Sequence, residues 1–573
     1  MEDSEEHDYN QRLIKGIDLG CDSFVMDGKT AVTFLSTFIT SHDKATYKNP
    51  IKPVIIVQDP FVVDDRDNLD IIRKHPVLLT EIPLVLILEI GTDQISLLTH
   101  RFVSSTEEAE DLILLDTFSM NNESFSLEEN LFPDKTRNLN RKMYRLASFR
   151  IIPHFVYTPI SGDQWMAKYK NQTVKINGMG GLIMVEFCRK HNCTWDIAID
   201  QEGQWGMIFE NGTGDGIIGT VYERRADVGV GSLLLWENAH WHLGFSSPIR
   251  KVGISCIAPR PHMIPSWQII GFVFAVDVWI FVAVCIICCS AMYLFISHVD
   301  PGCEVKGVAW NALNVWAIVL FQAAEILHNS VSQSVLSIAL LIFAINLGNI
   351  FAGKNASLRT FPPFEPPIDT LQDLAERDII WIQTHEAWVH SLQNPFNAYL
   401  RKIKDNFRIH LMPEIKDIAD EGRVAIGVSR LNYGYNMIGD FITDENVVLY
   451  RLMKEDLYHD YEVSMTTKTW PLREQLSDLI LRIVESGVRS YQEPIVAQQI
   501  MNFGVQTTIL HSRDREQIPP TPMNCNDMLG SFMLLGAGIV SAILVFIGEL
   551  LMEYYKKRKL SGGANVFKIS SLK

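Results

Sequence analysis

The chain has 573 residues, 47% of them hydrophobic and 21% charged, with a formal net charge of −16. Such a length suggests two or three folded units, and the acidic balance excludes a global basic field for nucleic acid. The mean hydropathy of +0.07 averages polar and strongly apolar parts, so the order of those parts carries the information.

Met1 to Asn10 is acidic and polar, without the basic start and apolar run of a cleavable leader, so a missing first segment is expected. Residues 1–145 contain apolar runs, Pro53–Val57 and Pro83–Ile90, that read as strands. Polar stretches such as Ser104–Asp111 and Asn121–Asn130 separate such runs. They predict a small mixed α/β module, too short for a complete clamshell. Residues 146–262 alternate short strands and helices. Arg150–Pro153, Thr194–Ile199 and Ala226–Val230 read as strands, and Gly178–His191 as a helix ending at Asn192. Residues 354–526 repeat the style, with helices at Leu371–Glu376 and Leu472–Gly487 and strands at Asp378–Ile382 and Arg423–Val428. This alternation implies open α/β lobes with a ligand crevice at the strand ends.

Strongly apolar stretches split and follow those two halves. The first runs from about Trp267 to Ser297. The second begins with Val308–Gln322, breaks at His328–Gln333 and resumes through Ser334–Phe351; the third is Met528–Met552. The first and third are long enough to cross a hydrocarbon core of about 30 Å. Val308–Gln322 is too short, which marks it as a re-entrant segment, tolerated only against protein or water. The expected fold is an α/β bilobed, periplasmic-binding-protein-like extracellular ligand-binding domain interrupted by a helical membrane pore. Its parts are a first half-domain at 146–262, a pre-span segment and first span at 263–298, and a pore loop at 306–327. A second span and gate follow at 333–353, then the second half-domain at 354–526, a last span at 527–553 and a tail at 554–573.

The basic run Lys556–Lys559 after the last span places the C-terminus inside the cell and the N-terminal half outside. Glycosylation acceptors at Asn122, Asn171, Asn192 and Asn211 agree with that orientation. Asn355-Ala-Ser also matches, but lies too near the membrane for high occupancy. Cys188 and Cys193 flank a helix end, and Cys256 and Cys525 each precede a span. Any of these can pair, and the connectivity stays open. Asp277 lies early in the first apolar stretch; a short cuff helix over Pro265–Phe274 would put it at the membrane interface.

The layout of half-lobe, span, pore loop, span, half-lobe and span resembles the ionotropic glutamate receptors. More closely it resembles the divergent ionotropic receptors of insects and other arthropods. The segments that carry the resemblance are Thr360-Phe-Pro-Pro-Phe-Glu-Pro-Pro-Ile-Asp-Thr-Leu-Gln-Asp-Leu-Ala, Gly231–Pro248 with its Gly-Phe-Ser-Ser-Pro ending, and Pro471-Leu-Arg-Glu-Gln-Leu with Val484-Glu-Ser-Gly-Val. It covers about Arg150 to Lys559.

Departures from the family pattern bear on the ligand. Where glutamate receptors hold the ligand's carboxylate with an arginine, six residues before the Phe-Ser pair, this chain has Ala239 between Asn238 and His240. An arginine fork suits that task because it binds carboxylate bidentately. The acidic residue that would hold the amino group aligns near Ser429. Without either partner, an amino-acid zwitterion would be desolvated without compensation. The resemblance thus implies a ligand-gated channel with Asn238, Ala239, His240 and Ser429 around its ligand, and no response to glutamate. His240 and His242 either sense protons or are plain exposed histidines, the commoner case.

In the pore, the resemblance puts Gln322 at the narrowest point, where a side-chain amide replaces part of a cation's hydration. Glu325 would add a ring of negative charge in a tetramer. The gate would be the outer end of the second span, including Phe351 and Lys354. A ring of lysines at a cation gate repels permeant ions, so a hetero-tetramer with co-receptor subunits is expected. No nucleophile–base–acid set, P-loop or metal motif is present, so no enzyme and no cofactor is expected. The resulting expectation is a chemosensory ligand-gated cation channel subunit in the plasma membrane of sensory neuron dendrites. Its partners would be a small-molecule or ionic stimulus, co-receptors and lipid. A non-conducting binding or trafficking subunit is the alternative.

Overall fold

The computed structural model describes residues 2–48, 52–58, 63–102, 111–160, 167–300, 307–322, 330–514 and 524–567. They form two compact units. One comprises Met1–Arg260 with Ile368–Asp514, the other Pro261–Pro367 with Arg515–Lys573.

In the first unit, the N-terminal module is a six-stranded sheet with helices packed on it. The predicted runs appear as strands Val54–Gln58 and Val85–Ile90, paired in parallel. Their inward Val54, Ile56, Val85 and Ile87 bury against Phe34 and Phe38 of helix Gly28–Lys44. That helix starts where the Asp27 carboxylate accepts the Thr30 N–H, satisfying one of its free first-turn donors. Much of the stretch Ser104–Asp111 lies outside the described residues.

A second, 14-stranded sheet runs through both lobes of the remaining unit. Lobe 1 has a parallel core in which Lys142–Ser148 pairs with Cys193–Ile199 and Val228–Leu234. Lobe 2 has a smaller one, Trp381–Gln383 between Phe407–Ile409 and Ala425–Arg430. Two long antiparallel strands, Arg250–Pro259 and Tyr458–Thr466, join them. The chain therefore crosses between lobes on paired strands, the arrangement that a hinge needs.

Most predicted elements appear within a few residues. Helix Met179–His191 ends on Asn192 in the left-handed conformation, which an Asn tolerates. Helix Leu371–Glu376 opens on a reciprocal Thr370–Asp373 capping box. One expectation fails. Arg150–Pro153 is not a strand; the strand ends at Ser148, and Ile151 turns back to exchange backbone hydrogen bonds with Phe155 at 3.0 and 2.8 Å. Pro153 has no N–H to continue a ladder. Cys188 and Cys193, left open by the sequence, form a disulfide across that helix end, whereas Cys256 is buried and free.

Among the described residues, the second unit holds three helices long and apolar enough to cross a membrane: Val276–Val299, Val331–Thr360 and Cys525–Lys557. The shorter apolar helix Val308–Val319 packs against the first two, with Val315 and Ile318 buried beside Ile286, Leu340 and Ala344. The cuff reduces to one turn, Ile269–Phe272, and Asp277 sits exposed in the first turn of the first long helix. The helix of the second span continues to Thr360, past Lys354, and the lobed unit resumes at Ile368.

Candidate ligand cleft and pore residues

The hinge strands align residues from both lobes on one cavity. Strand register places Ile254 opposite both Ser429 and Tyr458. Lobe 1 adds Ser232 and Leu234 from strand Val228–Leu234, then Trp236 and the loop residue Trp205. Lobe 2 adds Met437 and, from the 3-10 helix Glu386–Leu392, Ala387 and Trp388. Among the described residues, no Asp, Glu, Lys or Arg lines this cavity.

The lobes are closed over it. Trp205 meets Trp388 edge to face at 6.1 Å and His385 at 5.9 Å, and Trp236 meets His390 at 5.2 Å. Tyr458 donates its hydroxyl to the Trp388 carbonyl at 2.6 Å, and Thr384 donates to Gln204 at 3.3 Å. At the rim Arg150 pairs with Asp440 at 3.1 Å. The remaining cavity is about 20 Å³. Three polar atoms of the lining are buried with no protein partner: Trp236 Nε1, Trp388 Nε1 and Ser429 Oγ. His390 Nδ1, behind Trp236, is a fourth. Burial, and then His385, push the His390 pKa down to about 4, so its ring is neutral near pH 7.

Of the four residues expected around the ligand, Ser429 lines this cavity, while Asn238, Ala239 and His240 do not. They lie in the short helix Glu237–His242, where Ala239 is buried and His240 is exposed. The Asn238 side chain accepts the Ala239 N–H at 2.8 Å. The helix is held from outside by the N-terminal module. Lys48 donates to the carbonyls of His240 and, at 2.8 Å, Leu243. Partial burial, then the charges of Lys48 and Lys468, hold His240 and His242 below the ordinary histidine range. Elsewhere on the same face, Arg224 grips Asp43 at 2.8 Å, and Lys468 donates to the carbonyls of Asp43 and Ala45 at the end of helix Gly28–Lys44. Cations there complement the helix C-terminus.

Sequence reasoning missed Trp205, Trp236 and Trp388. Trp236 lies just past the end of strand Val228–Leu234, at the start of helix Glu237–His242, outside any alternating pattern. Trp205 and Trp388 come from a turn and a 3-10 helix, where no periodicity marks a facing side.

A charged cluster braces the hinge a short way along the same strands. Arg250 donates to Glu462 at 2.5 Å, and His154 Nδ1 lies 2.9 Å from the other Glu462 oxygen. Arg250 also reaches His154 Nε2 at 3.3 Å. Burial alone would raise the Glu462 carboxyl, but His154 and Arg250 outweigh it and hold it well below the usual range.

In the second unit, Gln322 follows helix Val308–Val319 as an exposed residue whose side chain donates to the Leu320 carbonyl at 3.4 Å. Phe321 before it takes a positive φ of 57°. Glu325 lies outside the described residues. Phe351 packs on Phe274 at 5.8 Å and Trp279 at 6.3 Å, while Lys354 is exposed. Near the end of the same helix Arg359 donates to the Asp527 carbonyl at 2.8 Å, and Ser266 donates to the Asp527 carboxylate at 3.0 Å. The segments before the first span, after the second and before the last thus meet at one residue. Asn122, Asn171 and Asn211 are exposed; Asn192 is half-buried, its amide bonded to Asn138.

Residues 275–539 match the family model described as ligand-gated ion channel. The chain is 21% identical over 404 residues to a probable glutamate receptor of Lithobates berlandieri, covering 67% of this chain and 79% of that one. It is 23% identical over 412 residues to glutamate [NMDA] receptor subunit 1 of Drosophila willistoni, covering 66% and 40%. Against the Drosophila melanogaster protein of the same name it is 22% identical over 413 residues, covering 66% and 39%. The chain thus spans well under half the length of these fly relatives.

Proposed function

We propose that the chain is a chemosensory subunit of a cation channel, a reading supported by its match to the ligand-gated ion channel family model and its likeness to glutamate receptors. It is a tuning subunit of the arthropod type, assembled with co-receptor subunits in a hetero-tetramer at the plasma membrane. The observation that carries this reading is the cleft between the lobes, which no charged side chain lines. An amino-acid transmitter needs ion-pair partners there, since burying its charges uncompensated costs several kcal/mol. Ser429, in the cleft wall, is uncharged where the resemblance expects the acidic partner, and an uncharged cleft suits environmental molecules instead.

A second reading, a subunit that binds or traffics without lining the conducting path, draws on Lys354. Its exposed ammonium lies one turn beyond Phe351 on the helix of the second span. A ring of such charges repels cations.

Both readings are tested by expressing the chain with and without co-receptors. Epitope tags near Asn211 and at Ser561 report topology on intact cells, and currents are recorded with panels of acids, amines, neutral volatiles and salts. A stimulus-evoked current that needs this chain supports a tuning subunit. Staining of the Ser561 tag on intact cells overturns the orientation, and normal surface expression with no effect on any current overturns the receptor reading.

A further inference from the structure

The cavity between the lobes carries donors and no charge, and that pairing restricts what it binds. Trp236 Nε1 and Trp388 Nε1 are buried without partners, and indole N–H groups can only donate. Ser429 Oγ, also unpartnered, can donate or accept. An unpaired buried donor costs about 1–3 kcal/mol, so closure leaves a standing demand for an acceptor. The rest of the wall is apolar, including Leu234, Met437 and the ring of Trp205, whose own N–H is already given to the Gly231 carbonyl at 2.8 Å.

We propose that this cleft takes a small, neutral, flat molecule bearing a hydrogen-bond acceptor, such as a ketone, an ester or an aromatic ring nitrogen. The assignment rests on the reading of the chain as a ligand-gated subunit. An ammonium ion brings only donors to a site that already has two. A carboxylate brings an acceptor but also a charge that no lining cation offsets. A hydrocarbon fits the wall and leaves both indoles unpaired. In the closed form the cavity of about 20 Å³ is smaller than any such ligand. A ligand therefore parts the rings of Trp205 and Trp388, which touch only edge to face. A flat body needs the least such parting.

The test uses the full chain, purified in detergent, and measures binding by thermal shift and by equilibrium dialysis. Acetophenone and acetylpyrazine are compared with α-methylstyrene, which keeps the shape of acetophenone but lacks the acceptor. Benzoate, 1-phenylethylammonium and glutamate are the charged probes. The expected result is binding of the two acceptors at least tenfold tighter than of α-methylstyrene or any charged probe. Trp236→Phe and Trp388→Phe, which remove the N–H and keep a ring, should each reduce that preference by fivefold or more without lowering the melting temperature of the ligand-free protein. Equal binding of α-methylstyrene and acetophenone overturns the proposal, as does tighter binding of a charged probe, or no binding by a protein that melts cooperatively. These outcomes separate from failure of the receptor reading. A current evoked only by acids or amines keeps the receptor and sinks the ligand class, whereas acceptor binding with no current under any co-expression does the reverse.

Discussion

Trp236 of lobe 1 and His390 of lobe 2 meet edge to face with ring centroids 5.2 Å apart. Both rings are buried. Burial first, and then His385, lower the His390 pKa from its ordinary 6.5 to about 4. A histidine depressed in the folded state contributes stability that is complete above pH 6.5 and lost as pH falls toward 4. At pH 5 the loss is on the order of 2 kcal/mol. His42 in the N-terminal module is lowered to about 4, also mainly by burial, and adds a similar acid loss. We therefore expect the melting temperature to drop between pH 7 and pH 5, and His390→Phe to remove part of that drop, since His100, His191 and His385 are lowered by burial as well. An unchanged pH profile in the variant would show that His390 is not buried against Trp236.

The hinge cluster gives a second expectation. Glu462 is buried and accepts from Arg250 at 2.5 Å with His154 beside it. Glu462→Ala leaves Arg250 buried with its main partner removed, which costs about 3–5 kcal/mol. The variant should melt well below the wild type or fail to reach the surface. Glu462→Gln keeps one acceptor and should lose less. Equal stability of all three proteins would contradict the cluster.

Gly348 and Phe321 make a third pair. A Cβ on Gly348 would lie 2.2 Å from the Phe321 ring, so the ring rests where only glycine leaves room. Gly348→Ala must push Phe321, and with it the neighbouring Gln322, at an overpacking cost of about 1–3 kcal/mol. Phe321→Leu in the same chain should restore much of the lost surface expression. If the double variant is no better than Gly348→Ala alone, the two do not compete for one space.

Conduction tests the pore. If Gln322 stands at the constriction, Gln322→Arg puts positive charge in a low-dielectric path, where repulsion grows with ion charge. Relative calcium permeability should fall several-fold more than that of sodium, in cells that also express co-receptors. Unchanged relative permeability at normal surface expression would remove Gln322 from the filter.

Ligand discrimination is the last expectation. Glutamate and glycine should evoke no current, since no charged side chain lines the cleft. Ala239→Arg should not rescue a response, because Ala239 is buried in helix Glu237–His242 and does not reach the cavity. A micromolar glutamate response in the wild type would overturn this.

The sequence by itself marked the long apolar stretches that fold as three helices able to cross a membrane, and the shorter stretch Val308–Gln322 between them. These properties are local. Apolar length, helical or alternating period and turn chemistry act over a few to some thirty residues, so they are legible along the chain. The binding wall was decided by tertiary structure. Trp205, Trp236, Trp388 and Tyr458 are far apart in sequence and converge because strands Arg250–Pro259 and Tyr458–Thr466 fold lobe 2 back onto lobe 1. The same closure decided which polar atoms lost their water without gaining a partner. Burial and pairing depend on which surfaces meet, and no local pattern in the chain encodes that meeting.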